Sequence, residues 1–385
     1  VAFAGKALLA GVGVALVLAL ALLFFAWSGL YNVAASQPHW ALTRWFLDFG
    51  LRRSVETHSA SITPPTLDDK NLVILGAGHF DGGCAPCHGA PGGHSDPIVD
   101  RMLPAPPELN RAAFNWSTEQ LFWIVKHGLK YTGMPAWVAQ QRDDEVWAVV
   151  AFLRALPQMS ASQYRLFAIG DPEARLNDGA EIARNGMTME ALTRCVRCHR
   201  GDAQPRSALV PRLAGQSQAY VERALRDFAS GSRPSGIMEP IAVALDDAAI
   251  AALSEYYARA SDPAPSATPI APNADQIARG KEIATKGVAE SGVPPCLVCH
   301  GDTRAPSFPK LDGQYAPYIV GQIEIWKRGL RKKSGYGAIM GTIASRLTDE
   351  QARDVAAYFA SVAAPTAEKL ERPIPPSRRG GPRAR

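Results

Sequence analysis

The chain has 385 residues, 47% hydrophobic and 20% charged, which excludes a disordered or collagen-like polymer and allows about two to four domains. Thirty prolines and 33 glycines suit short helices joined by many loops. The formal charge of +5 does not mark a nucleic-acid binder, because residues 366–385 hold six Lys/Arg against two Asp/Glu and no basic face or nucleic-acid motif appears elsewhere.

In chain order, Ala7 to Tyr31 carries no charge and follows Lys6. At about 1.5 Å per residue this stretch can cross a bilayer, so residues 1–31 are expected to be a transmembrane anchor. A secretory leader has a shorter apolar core, about 7–15 residues, although Val33-Ala34-Ala35 offers a cleavage site. Residues 32–70 follow as an interfacial helix and linker. Trp40, Leu42, Trp45, Phe46 and Phe49 lie at helical spacing beside Arg44, Arg52 and Arg53, which predicts an amphipathic helix at the membrane surface. A packing helix of the first domain is the alternative. Residues 55–70, with Pro64-Pro65, read as a linker.

The remaining chain divides into three units at 71–157, 177–261 and 274–364, joined by 158–176 and by the proline-rich 261–273. A basic tail at 365–385 is expected to be disordered. Each unit ends in a helix opened by acidic residues, Asp143–Leu156, Asp246–Ala260 and Thr348–Val362. Units two and three form an internal repeat. Pro211-x-Leu213-x-Gly215-Gln216 recurs as Pro309-x-Leu311-x-Gly313-Gln314, Tyr220 as Tyr318, and Gly231-x-Arg233 as Gly329-x-Arg331. Met238, Ile241, Leu245 and Asp247 recur as Met340, Ile343, Leu347 and Asp349.

All six cysteines fall in three copies of one pattern, Cys84-Ala-Pro-Cys87-His88, Cys195-Val-Arg-Cys198-His199 and Cys296-Leu-Val-Cys299-His300. This is the pattern of covalent haem c attachment. Thiols at i and i+3 share a helix face and reach the two vinyl groups on one porphyrin edge, and the following His meets the iron. Zinc needs four ligands, usually from two such pairs, and three pairs cannot build two sites evenly. A thioredoxin-like pair would need strand–helix alternation, and structural disulfides would not explain the His after each pair. Three covalently bound haems are therefore expected, with His88, His199 and His300 as one axial ligand each.

The sixth ligand follows by elimination. After His300 there is no His and one Met, Met340; between His199 and unit three the only candidate is Met238. In unit one Met134 is preferred by its spacing to the last helix, with His79, His94, His127, Met102 and Met159 as competitors. Met187 and Met189 read as core filling, and His39 and His58 as surface or satisfied histidines. Thioether opposite imidazole favours ferrous iron and fills the sixth position, which points to electron transfer rather than catalysis.

These motifs resemble those of class I c-type cytochromes. Residues 177–364 resemble the di-haem cytochromes of the c4 type through the repeated Cys-x-x-Cys-His, Pro-x-Leu-x-Gly-Gln and downstream Met, and unit one resembles a single-haem group with Gly133-Met134-Pro135. The resemblance implies an all-α fold, with first and last helices crossed in each of three class I cytochrome c domains behind the N-terminal transmembrane helix. It also implies that the carbonyls of Pro211 and Pro309 accept the His ring N–H. In unit one Pro107-x-Leu109 stands in that place, with Asn110-Arg111 where the motif has glycine. Arg233 and Arg331 are candidates to pair with haem propionates, or are solvated surface charge.

The expected protein is a tri-haem electron carrier, not an enzyme, anchored in a bacterial inner membrane with its haem domains in the periplasm. Haem attachment outside the cytoplasm outweighs Arg44, Arg52 and Arg53, which by charge rule alone would stay inside. The expected partners are a quinol-oxidising complex and a terminal oxidase. Alternatively the chain is the cytochrome subunit of a periplasmic dehydrogenase; a haem peroxidase or reductase is the less favoured reading.

Overall fold

The computed structural model describes residues 2–93, 96–170, 189–199, 206–260, 273–301 and 307–362. His94, Met187, the linker at 261–272 and the tail at 365–385 lie outside the described residues. Among those described, the secondary structure is helical, with one isolated bridge between Val288 and Val293. The α-helices are α1 (Ala2–Ser28), α2 (Ala41–Ser59), α3 (Lys70–Gly83), α4 (Ala85–His88), α5 (Leu109–Ala112), α6 (Thr118–His127), α7 (Asp143–Ala155), α8 (Ala161–Ala168) and α9 (Met189–His199). They continue as α10 (Gln218–Ala229), α11 (Met238–Val243), α12 (Asp247–Arg259), α13 (Ala274–Lys286), α14 (Leu297–His300), α15 (Ala316–Lys327), α16 (Gly337–Ala344) and α17 (Asp349–Ser361).

The chain forms two compact units, Val1–Ser54 with Pro97–Pro106, and Val55–Asp96 with Pro107–Arg385. In the first, Gly5–Ser28 of α1 has a mean hydropathy of 2.8 and is long enough to cross a membrane. Its described side chains are largely exposed, among them Leu9, Leu16, Leu20 and Phe24. An aromatic cluster follows: Trp40 meets Tyr31 edge-on at 5.1 Å and Phe25 at 5.9 Å. Leu42, Trp45, Phe46 and Phe49 of α2 are exposed, and Arg53 lies 5.7 Å over the Phe49 ring.

The second unit holds all three Cys-x-x-Cys-His motifs. The helix α3 starts where Asp69 accepts a hydrogen bond from the Asn71 N–H. It crosses α7, and Phe80 packs on Phe152 with ring centroids 5.0 Å apart, both side chains fully buried. Gly76 makes the crossing possible: a Cβ there would lie 2.0 Å from the Ala148 carbonyl oxygen. Unit three repeats the device between α13 and α17, where a Cβ on Gly280 would lie 2.0 Å from the Asp354 carbonyl oxygen. Arg279 beside it forks onto the buried Asp354 carboxylate at 2.7 and 2.9 Å. In unit two the corresponding stretch, 171–188, lies outside the described residues. There α12 supplies Leu253 and Tyr257, buried in a cluster with Val196.

Two segments differ from the sequence reading. Within 55–70, α2 runs on to Ser59, and Ile62 and Leu67 pack on the core of unit one around Pro64-Pro65. Within the supposed connector 158–176, α8 starts at a Ser160–Gln163 capping box. It buries Tyr164 and Ala168 in the same core, and the Tyr164 hydroxyl donates to Asp81 at 2.8 Å. Only two of its eight residues are buried, so its apolar pattern is too thin to stand out in the sequence.

Candidate haem-attachment sites

In units one and three the motif is a single helical turn. Cys84 closes α3 and opens α4, and its carbonyl accepts from the Cys87 and His88 N–H groups at 3.0 and 2.9 Å. The Cys296 carbonyl accepts from Cys299 and His300 at 3.1 and 2.9 Å in the same way. The motif of unit two occupies the last turns of α9. No two of these cysteines are joined as a disulfide. Burial pushes Cys84 and Cys195 up to about 12, and Cys296 up to about 11. Among the described residues no three His, Cys, Asp or Glu side chains gather as a metal site.

Each motif His faces a proline carbonyl. The Nδ1 of His88 lies 2.9 Å from Pro107 O, that of His199 3.3 Å from Pro211 O, and that of His300 2.8 Å from Pro309 O. A carbonyl can only accept, so Nδ1 carries the proton and Nε2 keeps its lone pair for a metal. Burial holds His199 down to about 4 and lowers His300 as well, so both rings are neutral, as ligation requires. The donor set thus suits a haem iron in all three units. Met134, Met238 and Met340 are half-buried, on the segment before α7, at the start of α11 and within α16.

The other described histidines have ordinary packing partners. His39 lies 2.6 Å from the Tyr31 hydroxyl, and His58 and His127 both contact the Trp123 ring. His79 packs on Trp137 at 4.7 Å, and its pKa is lowered to about 4 by burial and then by Arg197. A folded state that takes up this proton less readily than the unfolded chain is most stable above about pH 6.5, and loses stability as pH falls toward about 4. Melting curves of the native protein and His79→Gln should therefore converge on acidification, with the native protein losing several degrees more of Tm between about pH 7 and about pH 4.5.

The repeated proline motif also joins units two and three. Gln314 accepts from the Arg212 N–H at 3.0 Å and donates to the Arg212 carbonyl at 3.1 Å. Gln216 does the same to Lys310, at 3.0 and 2.7 Å. Each glutamine therefore grips the backbone of the residue next to the other unit's His-holding proline. Beside this grip, Arg233 is buried and donates to the Tyr318 hydroxyl at 3.0 Å and to Gln322 at 3.1 Å. Arg331, also buried, shares Gln322 and stacks 4.0 Å over Trp326. Neither arginine is solvated. Burial and the neighbouring Arg233 push Arg331 down to about 9, and its Nε has no hydrogen-bond partner. Two buried cations with an open donor suit the propionates of a haem.

Unit one touches unit two as well. Arg206 donates to the Leu166, Phe167 and Ala168 carbonyls that close α8, and Asn71 accepts from the Ala208 N–H at 2.8 Å. Arg197, inside the unit-two motif, pairs with Asp81 of α3 at 3.2 Å. These contacts join residues distant in sequence, and no motif in the chain announces them.

Comparison with known proteins agrees with this geometry. Residues 73–153 match the family model of cytochrome c oxidase, cbb3-type, subunit III, and residues 277–363 match that of cytochrome c. The chain is 37% identical over 197 residues to a thiosulfate dehydrogenase electron acceptor of Stutzerimonas stutzeri (strain A1501), covering 49% of this chain and 88% of that protein. It is 38% identical over 174 residues to the protein of the same description from Thiomonas intermedia (strain K12), covering 43% and 77%. It is 30% identical over 196 residues to cytochrome c4 of Thiocapsa roseopersicina, covering 50% and 92%. Cysteine pattern, helical fold and these likenesses agree: the chain belongs to the c-type cytochromes, is an electron carrier, and resembles the di-haem c4 proteins over about half its length.

Proposed function

We propose that this chain is a membrane-anchored, tri-haem cytochrome subunit that accepts electrons from a periplasmic dehydrogenase, one oxidising a small reduced sulfur compound such as thiosulfate. The observation that carries the tri-haem reading is the same three-part arrangement in each unit: a Cys-x-x-Cys turn, the His that follows it, and a proline carbonyl facing its Nδ1. When bound, haem c supplies a one-electron iron couple. The residues of the chain do the rest. Cys84, Cys87, Cys195, Cys198, Cys296 and Cys299 tether it, and His88, His199 and His300 present Nε2. Met134, Met238 and Met340 supply thioether sulfur, which favours the reduced state. Arg233 and Arg331 compensate propionate charge, and the glutamine grip fixes the spacing of units two and three.

Two relatives described as thiosulfate dehydrogenase electron acceptors support the dehydrogenase as donor over the quinol-oxidising complex. A carrier to a terminal oxidase has one support, the likeness of residues 73–153 to an oxidase subunit. The apolar α1 and the exposed apolar side chains of α2 support anchoring, with α2 at the bilayer surface and the haem units on the periplasmic side. Membrane tethering confines the search for a partner and raises its effective concentration.

Solubilisation in mild detergent is the test. The mature chain should carry three haem masses, and a thiosulfate-oxidising dehydrogenase should co-elute and reduce it on addition of thiosulfate. Co-elution with an oxidase alone, and no reduction by thiosulfate, would favour the terminal-oxidase carrier instead.

A further inference from the structure

The spacing of the repeat in units two and three changes between its arginine and its methionine. Met340 lies nine positions after Arg331, but Met238 lies only five after Arg233. Unit three gives its longer segment backbone and hydroxyl bonds of its own, with Arg223 of unit two lying 4.8 Å over the Tyr336 ring. The Ser334 hydroxyl donates to the Arg331 carbonyl at 2.9 Å, the Gly337 N–H to Ser334 O at 2.7 Å, and the Met340 N–H to Tyr336 O at 3.3 Å. Ile339, next to Met340, is 51% exposed.

The shorter segment of unit two is held from outside. Glu145, in the first turn of α7 and 4% exposed, accepts from the Ser235 hydroxyl at 2.6 Å and from the Gly236 N–H at 2.7 Å. Arg142 pairs with Glu145 at 2.9 Å and donates to the Pro234 carbonyl at 2.8 Å. Trp137 closes over the same point, so that a Cβ on Gly236 would lie 2.1 Å from its indole nitrogen. Ile237, the counterpart of Ile339, is 9% exposed and belongs to the core of unit one.

The bonds run on to the methionine. Ser235 Oγ accepts from the Met238 N–H at 2.9 Å and from the Ile237 N–H at 3.3 Å. Both nitrogens can only donate and the Glu145 carboxylate accepts, so the Ser235 proton is directed at Glu145. The start of α11, where unsatisfied N–H groups need acceptors, is thereby fixed by a carboxylate of another unit.

We propose that Glu145 is a positioning residue for Met238, so that unit one, across the domain boundary, holds the axial sulfur of the unit-two haem in place. The inference rests on the reading of Met238 as that ligand. Losing Glu145 strands the Ser235 hydroxyl and the Gly236 N–H and leaves the buried Arg142 with only Asp144 as its carboxylate partner. The methionine segment then exchanges more freely with competing ligands.

The test is titration of the ferric full-length holoprotein with imidazole, which competes with methionine sulfur. In Glu145→Leu the imidazole concentration that half-saturates one haem should fall about tenfold or more, as expected for the loss of two hydrogen bonds to a charged group. Glu145→Gln keeps one acceptor oxygen and a near-native shape, and should give a smaller fall in the same haem. Asn71→Ala weakens a separate contact between these units, the bond to the Ala208 N–H, and should leave imidazole binding unchanged. Equal effects in Asn71→Ala and Glu145→Gln, or no effect in Glu145→Gln and Glu145→Leu, would overturn the proposal. Met238→Ala separates the two readings: an unaltered methionine-to-iron absorption band there defeats the ligand assignment, whereas loss of part of the band with unchanged imidazole binding in both Glu145 variants defeats the positioning role alone.

Discussion

Gly280→Ala is expected to destabilise unit three by about 3 kcal/mol, at the upper end of overpacking costs. The added Cβ would lie 2.0 Å from the Asp354 carbonyl oxygen, and that oxygen belongs to the backbone of α17, so no rotamer change relieves the clash. The helices α13 and α17 must move apart. That separation pulls Arg279 from the buried Asp354 carboxylate and opens the cluster around Ile283, Val355 and Phe359. Calorimetry should show a unit-three transition lowered by more than about 10 °C. Gly321→Ala is the control: it lies inside α15 with no atom within 4 Å of the new Cβ, and should be neutral or stabilising by about 0.5–1 kcal/mol. Equal losses in both variants would show that the crossing is not the cause.

Met238→Ala and Met340→Ala should each open the sixth position of one haem. Each ferric variant is expected to lose roughly one third of the methionine-to-iron charge-transfer absorption, gain a high-spin signal, and show one haem with a lowered potential. The double variant should lose roughly two thirds, because each methionine serves its own unit. These are the only methionine or histidine residues after the motif in their respective units, so no neighbour can substitute. An unchanged spectrum in either single variant would remove that ligand assignment. In unit one the equivalent Met134→Ala experiment, repeated with His79→Gln, decides among the sequence candidates.

Local chemistry was legible in the sequence, and long-range packing was not. The Cys-x-x-Cys-His turns, the acidic openings of α7, α12 and α17 and the paired Pro-x-Leu-x-Gly-Gln stretches each need only a few neighbouring residues, so spacing alone reveals them. Pro107 could be named beside His88 only through resemblance, since Asn110-Arg111 breaks the motif. Gly76 and Gly280 carry no signal in the sequence, because only the crossing helices place a carbonyl against them. Arg142 carries no signal in the sequence, and Glu145 is one of the acidic residues that open the helix from Asp143. Their burial depends on Pro234, Ser235 and Gly236, about ninety positions away, and no periodicity in a single chain encodes such a pairing. The helix α8 escaped notice because two buried side chains are too few to make a stripe.

The glutamine grip has a consequence for how this gene can drift. Gln216 and Gln314 hold the main chain of Lys310 and Arg212 and make no demand on those side chains through these bonds. Substitution of the side chains at 212 or 310 keeps these four main-chain bonds, although the buried Arg212 also lies 5.7 Å over the Tyr315 ring, whereas loss of either glutamine strips bonds from the opposite half. Two ancestral copies joined in this way can diverge at their facing positions while their amide side chains stay locked to one another's history.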